Sequence, residues 1–268
     1  MNQQLTVSGL WRYPVKSLRG MACERLRVGP RGPELDRQWM LVDLNGRFLT
    51  QRQQPRMALV DVTLNADALV LNAPGMEALH LPLAGSGEAI VPVTVWSDTC
   101  EGEPVGTAAD RWLSEFLDVD CRLIRFPDSA TRQVDLHYAQ PGDQVGFADG
   151  FPLLLITQAS LDALNDKLSA PVDMRRFRPN LVIDGAAPHA EDNWRRLRIG
   201  ELTFEVVKPC SRCPIPGIDP DTAERTAEVL RVLADYRRGE DKKVYFGQNV
   251  LHRGIGELRI GQAVEVLA

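Results

Sequence analysis

The sequence is short of lysine, has no clustered histidines and contains no long apolar run, and each shortage closes off a class of protein. No stretch approaches the roughly 20 apolar residues that a bilayer-spanning helix needs. The opening "MNQQLTVSGLWRYPVK" lacks the basic start and apolar run of a signal peptide, so a soluble cytoplasmic protein is expected. Cysteines stand singly at 23, 100 and 121 and as a pair at 210 and 213, an odd and scattered set that argues against a disulfide framework. The histidines at 80, 137, 189 and 252 form no H-x₃₋₅-H, so the Cys210–Cys213 pair has no partners for a four-ligand zinc site. A net charge of −5 speaks against nucleic acid and acidic membrane as partners. Lysine occurs only at 16, 167, 208, 242 and 243, which leaves 26 of the 31 cations as arginine. Arginine's planar fork suits bidentate phosphate binding, but a bias spread over the chain is compositional, and single arginines have to be judged by their neighbours.

What is present is an ordinary globular balance, with 44% apolar and 25% charged residues in 268. The first hundred residues read as strands. "QWMLVDLNGRFLTQR" (38–52) has two extended runs around Asn45-Gly46, a strong hairpin signal. "MALVDVTLNADALVLNAPG" (57–75) repeats that pattern. Three stretches have helical spacing: 107–118, 157–168 and 226–238. Short strands separated by glycine close the chain, and Leu181-Val182-Ile183 reads as a buried strand. The expected fold is α+β, mainly antiparallel sheet: a β-rich N-terminal domain over 1–121, then a second, β-barrel-like domain over 122–268, the weak boundary lying in the turn-rich 121–135 region.

Five stretches carry polar chemistry. In "KPCSRCPIPG" (208–217) the prolines and glycine after Cys213 keep the chain from entering a helix, which removes the usual setting of a redox dithiol. Lys208, Ser211 and Arg212 beside the cysteines favour a thiolate, either as nucleophile or as soft-metal ligand. "YPVKSLRG" (13–20) offers Lys16 and Ser17 side by side, and "ELDRQW" (34–39) offers Arg37 beside Asp36. "RRFRPNLVIDG" (175–185) sets Arg178 and Asn180 at the mouth of a strand, and "DPDT" (219–222) reads as a type I turn. Singly, each has a plain reading as a turn or a local ion pair. Together they suit an anionic, phosphate-bearing, sulfur-rich cofactor.

"YPVKSLRG", "LDRQWMLVD", "TQRQQPR", "FADGFPLLLITQASLDALN", "FRPNLVIDG", "AEDNW", "VVKPCSRC", "DPDT" and "FGQN" follow, in order and over about residues 4–267, the pattern of MOSC-domain proteins. The resemblance is to the type with an N-terminal MOSC β-barrel domain, the group of the mitochondrial amidoxime-reducing component and of bacterial reductases of N-hydroxylated bases. It implies a molybdenum cofactor, a pyranopterin dithiolene with a terminal phosphate, held between the two β-rich parts. By that resemblance Cys213 is the metal ligand and the catalytic residue, and Lys16, Ser17, Arg37, Arg178, Asn180, Ser211 and Arg212 contact the cofactor. The implied activity is reduction of N-hydroxylated compounds such as amidoximes and hydroxylaminopurines, with a cofactor or sulfur carrier as the alternative. Pyridoxal phosphate binding is a further association that comes with the family. The chain shows no C-x₄-C-x₂-C spacing, so its electrons are expected from a separate protein, a ferredoxin or a flavoprotein reductase. It departs from the family pattern in having Pro216-Gly217 for a Thr-Thr pair, Ala223 for a glycine, and Gly150-Phe151 for a Thr-Ser pair.

Overall fold

The computed structural model describes residues 4–268. Antiparallel sheet dominates it, as an α+β fold built around one large curved sheet. That sheet has eight strands, in the order Val264–Val266, Arg196–Ile199, Leu202–Ser211, Tyr245–Arg253, Leu153–Thr157, Leu181–Asp184, Thr6–Arg12, Met21–Ala22. Its only parallel pairing among the described residues joins Leu153–Thr157 to Leu181–Asp184. Both of these strands are near-continuous aliphatic runs, as strands covered on two faces require. A four-stranded sheet holds Trp39–Val42, Arg122–Arg125, Asp98–Pro104 and Val91–Val95, and two three-stranded sheets complete the β-structure among the described residues.

Three α-helices lie among the described residues. Helix α1, Thr107–Leu117, buries Ala109, Leu113, Phe116 and Leu117 on one side and ends at Asp118 in the left-handed conformation. Helix α2, Gln158–Asn165, starts where the Thr157 hydroxyl accepts from the Ser160 amide. Helix α3, Glu228–Arg237, buries Val229, Val232 and Leu233. The Asn45-Gly46 signal is a real reversal but a wider one than a two-residue hairpin. Val42 pairs with Phe48, and Asp43 Oδ1 accepts from the amides of Asn45 and Arg47, both at 2.9 Å.

The two β-rich halves are interleaved. Thr6–Arg12 lies in the large sheet against Leu181–Asp184, and Arg25–Gly29 pairs with Gly256–Arg259. Just past the expected division at 121, Arg122–Arg125 joins Trp39–Val42. One apolar core, with Leu10, Leu155, Phe204 and Leu258, sits on the large sheet. A second, with Trp39, Leu41, Leu69, Leu113 and Phe116, lies beneath α1. Because the chain crosses between the halves several times, the loops at those crossings meet along one seam.

Candidate functional site

The seam opens into a cleft of about 140 Å3. Lys16, Ser17, Arg37, Arg178, Asn180, Ser211, Arg212 and Cys213 all line it. Residues spread from position 16 to position 213 thus reach one cavity.

The backbone that presents them is unusual. Ser17, Arg37 and Arg178 all adopt left-handed φ angles, of 65°, 48° and 59°. Such conformations cost of order 1–3 kcal/mol for a residue with a side chain and persist where the surroundings impose them, commonly at functional sites. Here the imposing contacts are visible. The Arg37 amide donates to the Tyr13 carbonyl at 2.7 Å, and the Ser17 carbonyl accepts from Gln51 Nε2 at 2.7 Å.

Tyr13 is the hub beneath the cations. Its ring is 1% exposed and carries two guanidiniums, with the Arg37 and Arg178 carbons 4.4 and 4.3 Å from its centre. Arg37 is neutralised by contact with Asp36 and also donates to Asn180 Oδ1 at 2.9 Å. Arg178 has no carboxylate within ion-pair distance among the described residues; it donates to the Leu18 carbonyl at 2.7 Å. Burial pulls its ordinary value of 12.5 down to about 10, against a pull upward from Tyr13, and the Arg37 charge adds to the lowering. A half-buried guanidinium held beside a second one and left without a counterion is a site for an anion. Arg212 points the same way: it donates to Cys210 Sγ at 3.2 Å and to the Phe177 carbonyl at 2.7 Å, while its buried Nε has no partner.

The cysteine loop owes its aim to irregular pairing. The strand Leu202–Ser211 loses register against Tyr245–Arg253 at two places, the second between Pro209 and Ser211, and bulges of this kind redirect side chains. Across from it Gly247 has φ 77°, and a Cβ there would stand 2.9 Å from the Leu155 carbonyl oxygen, so the "FGQN" glycine is required by both conformation and space. Downstream of Cys213, a short 3₁₀ turn spans Ile215–Gly217. The "DPDT" turn is then clasped. Asp219 Oδ1 accepts from the amides of Asp221 and Thr222, Arg176 bonds Asp219 at 2.7 Å, and Arg175 makes a fork to Asp221 at 3.0 and 2.8 Å. Arg19 adds a contact to Asp221 at 3.3 Å. The turn therefore anchors the loop that carries Cys213.

Several expectations about individual residues change. Cys210 lies within a strand that runs on to Ser211; it is half-buried, lines the cleft beside Cys213 and takes the hydrogen bond from Arg212. Lys208 turns away from the cysteines and lies 4.4 Å from the centre of the Tyr138 ring. Lys16 Nζ already donates to the Phe147 carbonyl at 2.8 Å and to Asp149 Oδ1 at 2.5 Å, which leaves one hydrogen for the cleft. Asn180 is largely a strut: Oδ1 serves Arg37 and the Leu154 amide, and Nδ2 donates to the Trp11 carbonyl.

Sequence reasoning missed Asp149, Trp96, Arg52 and Tyr13. Asp149 is the cleft's carboxylate, and Trp96 Nε1 donates to its Oδ1 at 3.0 Å. Burial raises the Asp149 carboxyl, but the Lys16 ammonium and the two hydrogen bonds outweigh that and hold it well below the usual range. Its side chain is nonetheless 67% exposed, because it faces the open cleft. Arg52 lies over the Trp96 ring at 4.3 Å. Tyr13, Arg52 and Asp149 stand inside quoted motifs, so a signal existed; Trp96 lies in none.

A model of the MOSC N-terminal beta barrel domain matches residues 4–120, and a model of the MOSC domain matches residues 142–265. The chain belongs to the MOSC family. Among curated relatives, mitochondrial amidoxime-reducing component 1 of Homo sapiens is 34% identical over 286 aligned positions, covering 100% of this chain and 84% of that protein. Mitochondrial amidoxime reducing component 2 of Rattus norvegicus is 35% identical, covering 98% and 84%. The molybdenum cofactor sulfurase of Danio rerio is 36% identical across 92% of this chain, but the match spans only 32% of the sulfurase. In this MOSC chain the cleft lies where the N-terminal loops at 13–20 and 36–37 meet the loops of the MOSC domain.

Proposed function

We propose that the cleft binds a molybdenum cofactor and that the protein reduces N-hydroxylated compounds with electrons from a separate donor protein. The observation that carries this reading is the convergence of Lys16, Ser17, Arg37, Arg178, Asn180, Ser211, Arg212 and Cys213 on one cleft. The donor set fits such a group. Arg178 is a half-buried cation without a carboxylate within ion-pair distance, Arg212 Nε is buried and unpartnered, and Cys213 is a free, half-buried thiol lining the same cleft. Arg178 and Arg212 would hold the anionic end, Ser17 and Ser211 would offer hydroxyls, and the Cys213 thiolate would be the protein's ligand to the metal.

When bound, the cofactor supplies two-electron oxygen-removing chemistry at an N–OH group, with water as the second product. The chain's own part is positioning and charge. Asn180 and Asp36 fix Arg37, and Tyr13 supports both guanidiniums from below. The Asp219–Asp221 clasp holds the Cys213 loop, and Lys16 pins the Phe147–Asp149 segment. Pyridoxal phosphate is not carried into this reading, since the cleft's lysine, Lys16, is already engaged by Asp149 and Phe147. The division at 121, a ferredoxin or flavoprotein reductase as donor, and a cytoplasmic setting belong to the proposal; cell fractionation tests the last, the amidoxime-reducing relatives being named as mitochondrial.

The similarity to a cofactor sulfurase favours a second reading, a module that binds the cofactor and hands it on. One experiment separates the two. Protein made in a cofactor-competent host is analysed for molybdenum and pterin, then given benzamidoxime with reduced viologen. Bound metal with turnover supports the reductase, bound pterin without turnover supports the carrier, and absence of both removes the cofactor from the site.

A further inference from the structure

Beside the cleft, on the far side of Arg52, lies a second and more open pocket. It is lined by Pro214, Gly217, Ile218, Ala227 and Leu230, with Arg52 and Arg225 at its polar edge. Arg52 lines both cavities, and Pro214 directly follows Cys213, so the two spaces share a wall. The residues of the departure from the family pattern, Pro216-Gly217, lie in the turn that shapes it.

The pocket's chemistry is mixed in a specific way. Its wall is aliphatic, yet two arginines line its edge, and Arg225 Nη2 donates to the backbone carbonyl of Arg52 at 2.9 Å. Neither has a carboxylate within ion-pair distance among the described residues, although the chain carries 36 acidic side chains. Arg52 is also oriented in advance, its guanidinium over the Trp96 ring and its Nε donating to Thr50 Oγ1 at 3.2 Å, so little side-chain freedom is lost on binding. A site for inorganic phosphate alone would have no use for Ile218 and Leu230. Aliphatic walls with cations at the edge match an organic anion, its apolar body on the wall and its carboxylate on the forks.

We propose that this pocket receives the substrate's body and selects N-hydroxylated compounds that carry an apolar ring or chain with a carboxylate. The inference rests on the reductase reading for its N-hydroxyl part. The pocket itself stands on the aliphatic wall and the two unpaired arginines.

The test is made on the full-length, cofactor-loaded protein. Calorimetric titration compares benzoate with its neutral counterpart benzamide and with inorganic phosphate. Benzoate is expected to bind at least ten-fold more tightly than either. Arg225→Ala should abolish that preference, and Leu230→Glu, which adds a carboxylate without removing an arginine, should abolish it as well. In turnover, the ratio of kcat/KM for 4-carboxybenzamidoxime to that for benzamidoxime should be about ten in the parent and near one in both variants. Equal binding of benzoate and benzamide, or a benzoate preference that survives both substitutions, overturns the pocket. Benzoate binding that behaves as expected in a protein that turns over neither amidoxime leaves the pocket standing and sinks the reductase reading instead.

Discussion

The guanidinium of Arg178 lies 4.3 Å from the centre of the Tyr13 ring, half-buried, left-handed in its backbone and without a carboxylate within ion-pair distance among the described residues. A folded protein that keeps such a group is less stable for it, and breaking this arrangement should separate stability from binding. Replacing Arg178 with Met keeps the side-chain length and removes the charge. Without cofactor, the variant should match the parent or exceed it by about 1 kcal/mol, as for other buried charges replaced by apolar groups. Its molybdenum content should fall at least ten-fold. Arg178→Lys should keep the fold and also lose much of its cofactor, because an ammonium does not reproduce the fork, and Arg37→Lys should do the same. Thermal unfolding and metal analysis on the same preparations read both effects. Full occupancy at matched stability would count against the anion clamp.

The two cysteines should differ. Cys213→Ala removes the thiolate assigned to the metal, so reductase activity should disappear and any pterin should be loosely held. Cys210→Ala should keep molybdenum. Since Arg212 donates to Cys210 Sγ at 3.2 Å, it should also lower activity by a few fold, with a stability cost of roughly 1 kcal/mol, typical of single substitutions. Metal content and turnover of the two variants settle the assignment; equal loss in both would mean a dithiol or shared-metal site.

Gly20 closes over Tyr13 from the side. A Cβ there would stand 2.2 Å from Cε1 of the ring, and the buried ring has nowhere to move without carrying Arg37 and Arg178 with it. Gly20→Ala should therefore destabilise by about 1–3 kcal/mol, the range for overpacking, and should reduce cofactor content as well. Chemical denaturation and metal analysis check the two parts. A variant that is destabilised yet fully loaded would show that Tyr13 does not support the clamp.

Acid should act on the cleft through Asp149. Lys16 and Trp96 outweigh burial and hold its carboxyl below the ordinary value of 3.8. A folded value below the unfolded one means that the stabilisation is fully present above about pH 4 and is lost as pH falls further, toward the folded value. The thermal midpoint of the parent should fall between pH 5 and pH 3 more steeply than that of Asp149→Asn, whose amide cannot titrate. The side chain's exposure to the cleft keeps the difference small, and salt should reduce it. Identical slopes in the two proteins would show that the pair with Lys16 contributes nothing.

Much of this molecule was legible in the one-dimensional text because it is local chemistry. Thr157 ahead of an amphipathic run specifies a helix start, Asn45-Gly46 a reversal, and Leu181-Val182-Ile183 a buried strand, each through interactions within a few residues. The ordered motifs specified the family and brought out the residues from 16 to 213 that line the cleft.

What the text could not decide is where those side chains point. Lys16 meets Asp149 across 133 positions, and Asn180 meets Arg37 across 143. Cys210 enters the cleft because a bulge shifts its strand, whereas Lys208, two residues earlier, leaves it for Tyr138. In loops, direction depends on left-handed φ angles at Ser17, Arg37 and Arg178, and these are imposed by packing from distant segments. The same dependence brought Trp96 and Arg52 together at the mouth. Residue types and their order set which chemistry this chain holds; long-range register and backbone strain, which have no local signature, decided which of those groups remain free for a ligand.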